Sequence, residues 1–369
     1  MNKRLILLFI LTILSISALA AYFIQPSIMD RLTDDDRDFF TQTELKIRKW
    51  GNYLDMPQMP QNSAIINSIV KAAKDGDSDA QYLSGIMHWS GAGATRDAVK
   101  SFQLLKKSAL QGNPKAQLML GLSYSRGHGT TKNTQKSFQL FHKLALEGNA
   151  DAQTILADSY ASGRGIDRNK DEALAWYKKA ALQNNASGLL ALGIEYSDGY
   201  IVQEDINEAF KLIHRAAVLG DNFAQVWIGR AYMHGYGYGV EQNHNKALDW
   251  FLKSALQGSS IGQFELGKAY YSGRIVMVDY IKAFQWLEKA ALRGSESAQG
   301  LVASLYRDGK GVPINNKEAF IWYAVATANN HDFYKKHLDA ISKKLSTKEL
   351  SEAQDEAKER FDEIANNIQ

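Results

Sequence analysis

The apolar positions of this chain recur in blocks rather than along one continuous period. Each block holds two amphipathic stretches separated by Gly-rich breaks. Small residues anchor the first stretch at Ala80, Ala116, Ala152, Gly188, Ala224, Gly262 and Ala298, spaced 36, 36, 36, 36, 38 and 36 residues apart. Small or apolar residues follow at positions four and five, and position eight is aromatic. It holds Tyr124, Tyr160, Tyr196, Tyr232, Tyr270 and Tyr306, with His88 in the first block. At about 100° per residue these positions share one side of a helix. A fixed period of this length predicts stacked two-helix units, each lending its apolar face to the next.

The polar positions mark the helix ends. Four residues before the anchors stand Gly76, Gly112, Gly148, Asn184, Gly220, Gly258 and Gly294, residues that tolerate a left-handed helix terminus. Asp77, Asn113, Asn149, Asn185, Asp221, Ser259 and Ser295 come next as N-caps. Pro114 suits a first helical position. The first helix is predicted to begin at each anchor and to end at Gly91, Gly127, Gly163, Gly199, Gly235, Gly273 and Gly309. The second helix has N-caps at Asp97, Asn133, Asn169, Asp205, Asn243, Asp279 and Asn315. Glu172, Glu208 and Glu318 lie three residues on and predict capping boxes. Its fullest form is Ala173-Leu174-x-Trp176-Tyr177-x-x-Ala180-Ala181. Position five of the first helix is Gly85, Gly121, Ala157, Gly193, Gly229, Gly267 or Ala303. Mid-helix Gly costs about 1 kcal/mol against Ala, so its recurrence predicts close approach by a neighbouring helix.

Ahead of the blocks, Lys3 and Arg4 precede an apolar run from Leu5 to Ile24, and Ala18-Leu19-Ala20 offers a cleavage site. This is the pattern of a secretory signal. The run is also long enough to remain as an anchor with a cytoplasmic N-terminus. Either outcome puts the repeats outside the cytoplasm. Residues 1–21 are therefore expected to be signal or anchor, and 22–62 a linker with a possible short helix. Residues 63–330 are expected to be the repeat array, and 331–369 C-terminal capping helices.

The aligned residues resemble the Sel-one-like repeat family, a relative of the tetratricopeptide repeat. Its pattern is Ala-x-x-x-Leu-Gly-x-x-Tyr, Gly-x-Gly, then Ala-x-x-Trp-Tyr-x-x-Ala-Ala and Gly. Ala116 to Gly148, Ala152 to Asn184, Ala224 to Gly258 and Ala298 to Asn330 carry most of it. The resemblance implies an all-α fold, a right-handed α-solenoid of about seven two-helix repeats with capping helices at both ends. It also implies a scaffold for protein complexes, such as the exported bacterial adaptors of envelope assembly, motility, signalling or host contact. A Cys-rich branch proposed to bind penicillin-like compounds is no guide, because this chain has no Cys.

Composition narrows the function further. The chain is 45% hydrophobic and 22% charged with net charge +3, values of a folded body without the basic excess of a nucleic-acid binder. No His-Glu-x-x-His motif occurs, and the Ser residues lack a Gly-x-Ser-x-Gly elbow, since Gly258-Ser259-Ser260-Ile261-Gly262 and the Gly-x-Gly breaks follow no strand pattern. His331 and His337 are too far apart to share a helical face, and His128, His234 and His244 are expected in solvated loops. The recurring Trp176, Trp250, Trp286 and Trp322 are expected in the core. No cofactor and no catalytic residue are expected.

A binding face is expected instead where the repeats differ, at positions three and six of the first helix. The candidates are Leu83, Ile86, Met119, Leu122, Ile155, Asp158, Ile194, Trp227, Arg230, Glu265 and Lys268, apolar early in the array and charged later. Tyr236 and Tyr238, in the two-residue insertion of the fifth block, are candidates for loop contacts. The expected partner is a protein or peptide held on the concave face. No nucleic acid is expected, membrane contact arises only through an uncleaved N-terminus, and the chain is expected to be a monomer. Action in the bacterial envelope is the primary expectation. A secreted factor meeting a host is the alternative, and a cell-wall or β-lactam-active enzyme the remote one.

Overall fold

The computed structural model describes residues 64–91, 93–235, 237, 239–328 and 332–368. The N-terminal segment, the linker to residue 62, Tyr236, Tyr238 and His331 lie outside the described residues. Among the described residues are 17 α-helices, one short 3-10 turn and no strand. Helix α1 (Ala64–Lys74) precedes seven helix pairs. These are α2 (Ser78–Ser90) with α3 (Ala98–Leu110), α4 (Pro114–Arg126) with α5 (Thr134–Leu146), and α6 (Ala150–Ser162) with α7 (Lys170–Leu182). They continue with α8 (Ala186–Asp198) and α9 (Ile206–Val218), then α10 (Asn222–His234) and α11 (His244–Leu256). The last are α12 (Ser260–Ser272) with α13 (Tyr280–Leu292), and α14 (Glu296–Asp308) with α15 (Asn316–Thr327). Helices α16 (Lys335–Ser342) and α17 (Thr347–Ile368) close the chain. The fold is an all-α repeat solenoid. It divides after Gln183 into two compact units, α1–α7 and α8–α17. Within each unit successive helices pack on one another, except that α17 packs back on α15 rather than on α16.

The first helices begin two residues ahead of the anchors, because the anchor is the third helical residue. Its N–H donates to the N-cap side chain in six repeats, at 2.7 Å for Ala80 and Asp77. Ser295 has the N-cap position without that bond. The Gly C-caps Gly91, Gly127, Gly163, Gly199, Gly273 and Gly309 are left-handed.

The second helices start differently from the capping-box expectation. Each N-cap side chain accepts its N–H as predicted. The N-cap's own N–H, which the Glu was to hold, instead donates to the backbone carbonyl of residue eight of the preceding helix. This bond, Asn133 to Tyr124 for example, recurs in all seven repeats at 2.7–3.1 Å. The glutamates are thereby released. Glu172 accepts from the Trp176 indole (3.1 Å), Glu208 pairs with Lys211 and Glu318 with Arg360.

The residue after the anchor explains the recurring Ala-Gln. Gln81, Gln117, Gln153, Gln225, Gln263 and Gln299 are buried. Each donates its amide N–H to the carbonyl of an Ala near the end of the preceding helix, at 3.1–3.4 Å. In three repeats the Gln oxygen also accepts from the Gln ending its own second helix, as Gln153 does from Gln183 (2.8 Å). The buried amide is thereby satisfied on a helix-terminal carbonyl that also accepts the backbone N–H of the Gly three residues on, as Ala109 does from Gly112. Residue eight contributes its ring as well as its carbonyl. Phe102, Phe138, Phe210 and Phe284 stand edge-on to the Tyr of the following repeat, with centroids 5.2–5.9 Å apart.

At the C-terminus, Ile341, Ala353, Ala357 and Ile364 bury against α15, and Arg360 lies over Trp322. Trp176 and Trp322 are buried, while Trp250 and Trp286 are partly so. Lys179, Lys253 and Lys289 cover Trp176, Trp250 and Trp286, one turn further along each helix.

Candidate interaction face

Positions three and six of the first helix do not form a uniform surface. In the first unit Leu83, Ile86, Met119, Leu122 and Ile155 are 2–8% exposed. The apolar contact strip expected from the early repeats is therefore not available to a partner in this structure. Helical period places these side chains opposite the core only if the helix has a solvent face. Helix α2 has none through most of its length: every residue from Ala80 to Trp89 is buried. Asp158 is engaged inside its own repeat. Its carboxylate accepts from the Tyr177 hydroxyl at 2.5 Å, and burial, opposed by that bond, raises its pKa. The equivalent positions in the last repeat make the same link, Ser304 to Tyr323 at 2.9 Å.

The second unit is different. Ile194 is 38% exposed, Arg230 and Lys268 are exposed, and Trp227 is half-buried. Glu265 is buried. It accepts from Arg230 of the preceding repeat, through Nε at 2.9 Å and Nη2 to the same oxygen. Glu265 therefore serves the frame: its charge is matched by a neighbouring repeat and it offers almost no surface. Lys268 lies over the Phe264 ring at 5.5 Å. Ile194, Trp227, Arg230 and Lys268 remain accessible, an apolar and cationic set from α8, α10 and α12. The Leu that ends most second helices is exposed, although its recurrence from repeat to repeat is like that of the core positions.

His128 is not the solvated loop residue expected. Its ring lies 3.9 Å from the Trp89 ring, and its buried Nε2 has no hydrogen-bond partner among the described residues. Burial, then Arg96 and Arg126, lowers its pKa from 6.5. His214 is lowered likewise by burial, then by Lys253 and Lys246. His234 ends α10 and His244 begins α11. Both histidines bind protons less readily in the fold than in the unfolded chain, so below pH 6.5 the unfolded chain binds more protons and stability falls as the pH falls. Urea midpoints should therefore drop between pH 6.5 and 5, and drop less in a His128→Gln/His214→Gln variant. Equal slopes in the two proteins would refute this assignment.

Among the described residues no three His, Asp or Glu side chains come together to hold a metal ion. No described helix is long and apolar enough to cross a membrane.

The family model of the Sel1 repeat matches residues 78–113, 114–149, 150–185, 186–221, 222–259, 260–295 and 297–331. The chain belongs to the Sel1 repeat family. Among solved structures it is similar to a Sel1 repeat protein from Oxalobacter formigenes. That similarity has 30% identity over 67% of this chain and 96% of the other, with TM-score 0.53. A protective antigen of uropathogenic Escherichia coli displaying an SLR fold shares 24% identity over 89% of this chain and 85% of its own, with TM-score 0.41. An immunity protein from Pseudomonas aeruginosa shares 20% over 62% and 82%, also with TM-score 0.41. No curated protein matches the sequence. The fold is the Sel1 repeat scaffold, a frame consistent with protein–protein interaction.

Proposed function

We propose that this chain is a non-catalytic scaffold of the bacterial envelope that holds a partner protein or peptide on the first-helix face of its second unit. The observation that carries this reading is the accessibility of Ile194, Trp227, Arg230 and Lys268 at positions where the first unit buries Leu83, Ile86, Met119, Leu122 and Ile155. An exposed apolar residue flanked by cations suits a partner segment that combines apolar anchors with carboxylates. The envelope location is supported by the charged and apolar pattern of residues 3–24.

The test uses residues whose loss leaves the frame intact. Arg230 is unsuitable, because its removal strands the buried carboxylate of Glu265. A full-length Ile194→Ser/Lys268→Ala variant, cross-linked in envelope fractions, is expected to recover its partner about tenfold less than the parent. Its circular dichroism is expected to be unchanged. Equal recovery would exclude this face.

A further inference from the structure

The last residue of the second helix is exposed and apolar in six successive repeats. Leu110, Leu146, Leu182, Val218, Leu256 and Leu292 are 79, 66, 82, 65, 70 and 47% exposed. Isolated exposed leucines need no explanation, but a file in strict register does. Packing does not account for it, since the small residue just before each, such as Ala109 or Ala255, is the one that is buried. One turn earlier on the same helix face stands a cation in every case: Lys107, Lys143, Lys179, Arg215, Lys253 and Lys289, all exposed. Of the residues that directly follow the file, only Glu147 is acidic. The file stops at both ends, with Lys74 at the equivalent position of α1 and Ala328 in the last repeat. Three members lie in each unit, and repetition sets equivalent positions along one edge of that unit.

We propose that the edge so formed in the second unit, by Val218, Leu256 and Leu292, is a docking surface for an anionic phospholipid bilayer. Each repeat contributes one aliphatic side chain to enter the headgroup boundary and one cation to meet lipid phosphate. The chemistry disfavours a second copy, since two such edges would bring like charges together. It also differs from a protein hot spot, which gathers large side chains into a central pocket rather than one per repeat along an edge. The bilayer contact is made by the repeats themselves, separate from any made by the apolar run from Leu5 to Ile24.

The chain has no Cys, so a single Leu219→Cys substitution beside Val218 carries a polarity-sensitive fluorophore at a unique site of the full-length protein. Vesicles of equimolar phosphatidylglycerol and phosphatidylcholine are expected to shift its emission to the blue, with quenching by brominated acyl chains. Phosphatidylcholine alone is expected to leave it unshifted. A Val218→Gln/Leu256→Gln/Leu292→Gln background should abolish the shift, and Lys253→Gln should weaken vesicle affinity about fivefold. A fluorophore at Lys268→Cys should not respond. An absent shift, a shift that survives the Gln substitutions, or one equal on neutral vesicles overturns the proposal. A dimer detected by light scattering and lost in the Gln background also overturns it and assigns the edge to a second copy.

Discussion

Replacing Phe251 with Ala will destabilise the second unit by about 3–5 kcal/mol, the range for an aromatic removed from a closed core. Phe251 is fully buried, and its ring fills the space that Gly229 leaves on the facing helix. A Cβ on Gly229 would come within 2.5 Å of that ring, and Gly229 has no side chain to fill the void left by Phe251→Ala. Unfolding by urea should show a lower midpoint. The companion substitution Gly229→Ala separates two explanations of the mid-helix Gly. On helix propensity alone it would stabilise by about 1 kcal/mol. Overpacking against the ring costs about 1–3 kcal/mol and should win. A Gly229→Ala/Phe251→Leu double variant is expected to regain part of the loss, because a smaller partner makes room for the methyl. A raised midpoint in Gly229→Ala would show that close approach is not why Gly stands there.

The second large effect concerns the loop that joins the two helices of a repeat. Gly129 has φ +67°, and a Cβ there would lie 1.9 Å from the Ala98 carbonyl oxygen of the preceding repeat. A rotating side chain can give way; this obstacle is backbone at the first residue of α3 and cannot. Gly129→Ala is expected to cost about 3 kcal/mol or more, from left-handed strain plus displacement of the loop. Gly112 supplies the control. Its φ is +89°, yet nothing lies within 4 Å of the Cβ position. Gly112→Ala should cost only the left-handed strain, about 1–2 kcal/mol. Equal losses at the two positions would mean that the loop does not press on the preceding repeat as described.

Both predictions rest on features half visible in the chain. The Gly at position five announced close approach, and the structure identifies the visitor as the second helix of the same repeat, through Leu105, Phe141, Ile213, Phe251 or Leu287. Tyr at position eight announced a contact between repeats, and the Phe rings confirm it. Its backbone carbonyl, which takes the N–H that the glutamates were expected to cap, leaves no mark in a side-chain alphabet. The candidate face was the least legible part. Position six is Ile86 in one repeat and Ile194 in another, chemically identical and at the same helical phase, yet 2% and 38% exposed. Phase tells which way a side chain points, whereas exposure depends on what lies in that direction.

Taken alone, the sequence determined the all-α repeat solenoid, its period, the residues that cap its helices and its small-residue contacts. These are local or nearest-neighbour quantities: a cap reaches three residues, a helical turn four, and each repeat is specified against the next. The tertiary structure alone decided which variable positions remain accessible and that Arg230 and Glu265 neutralise each other across a repeat. It also decided that the recurring Leu at the end of the second helix faces water while the Ala before it is buried. Those outcomes depend on atoms brought together from separate repeats, and a residue's identity does not record how much room its neighbours leave it.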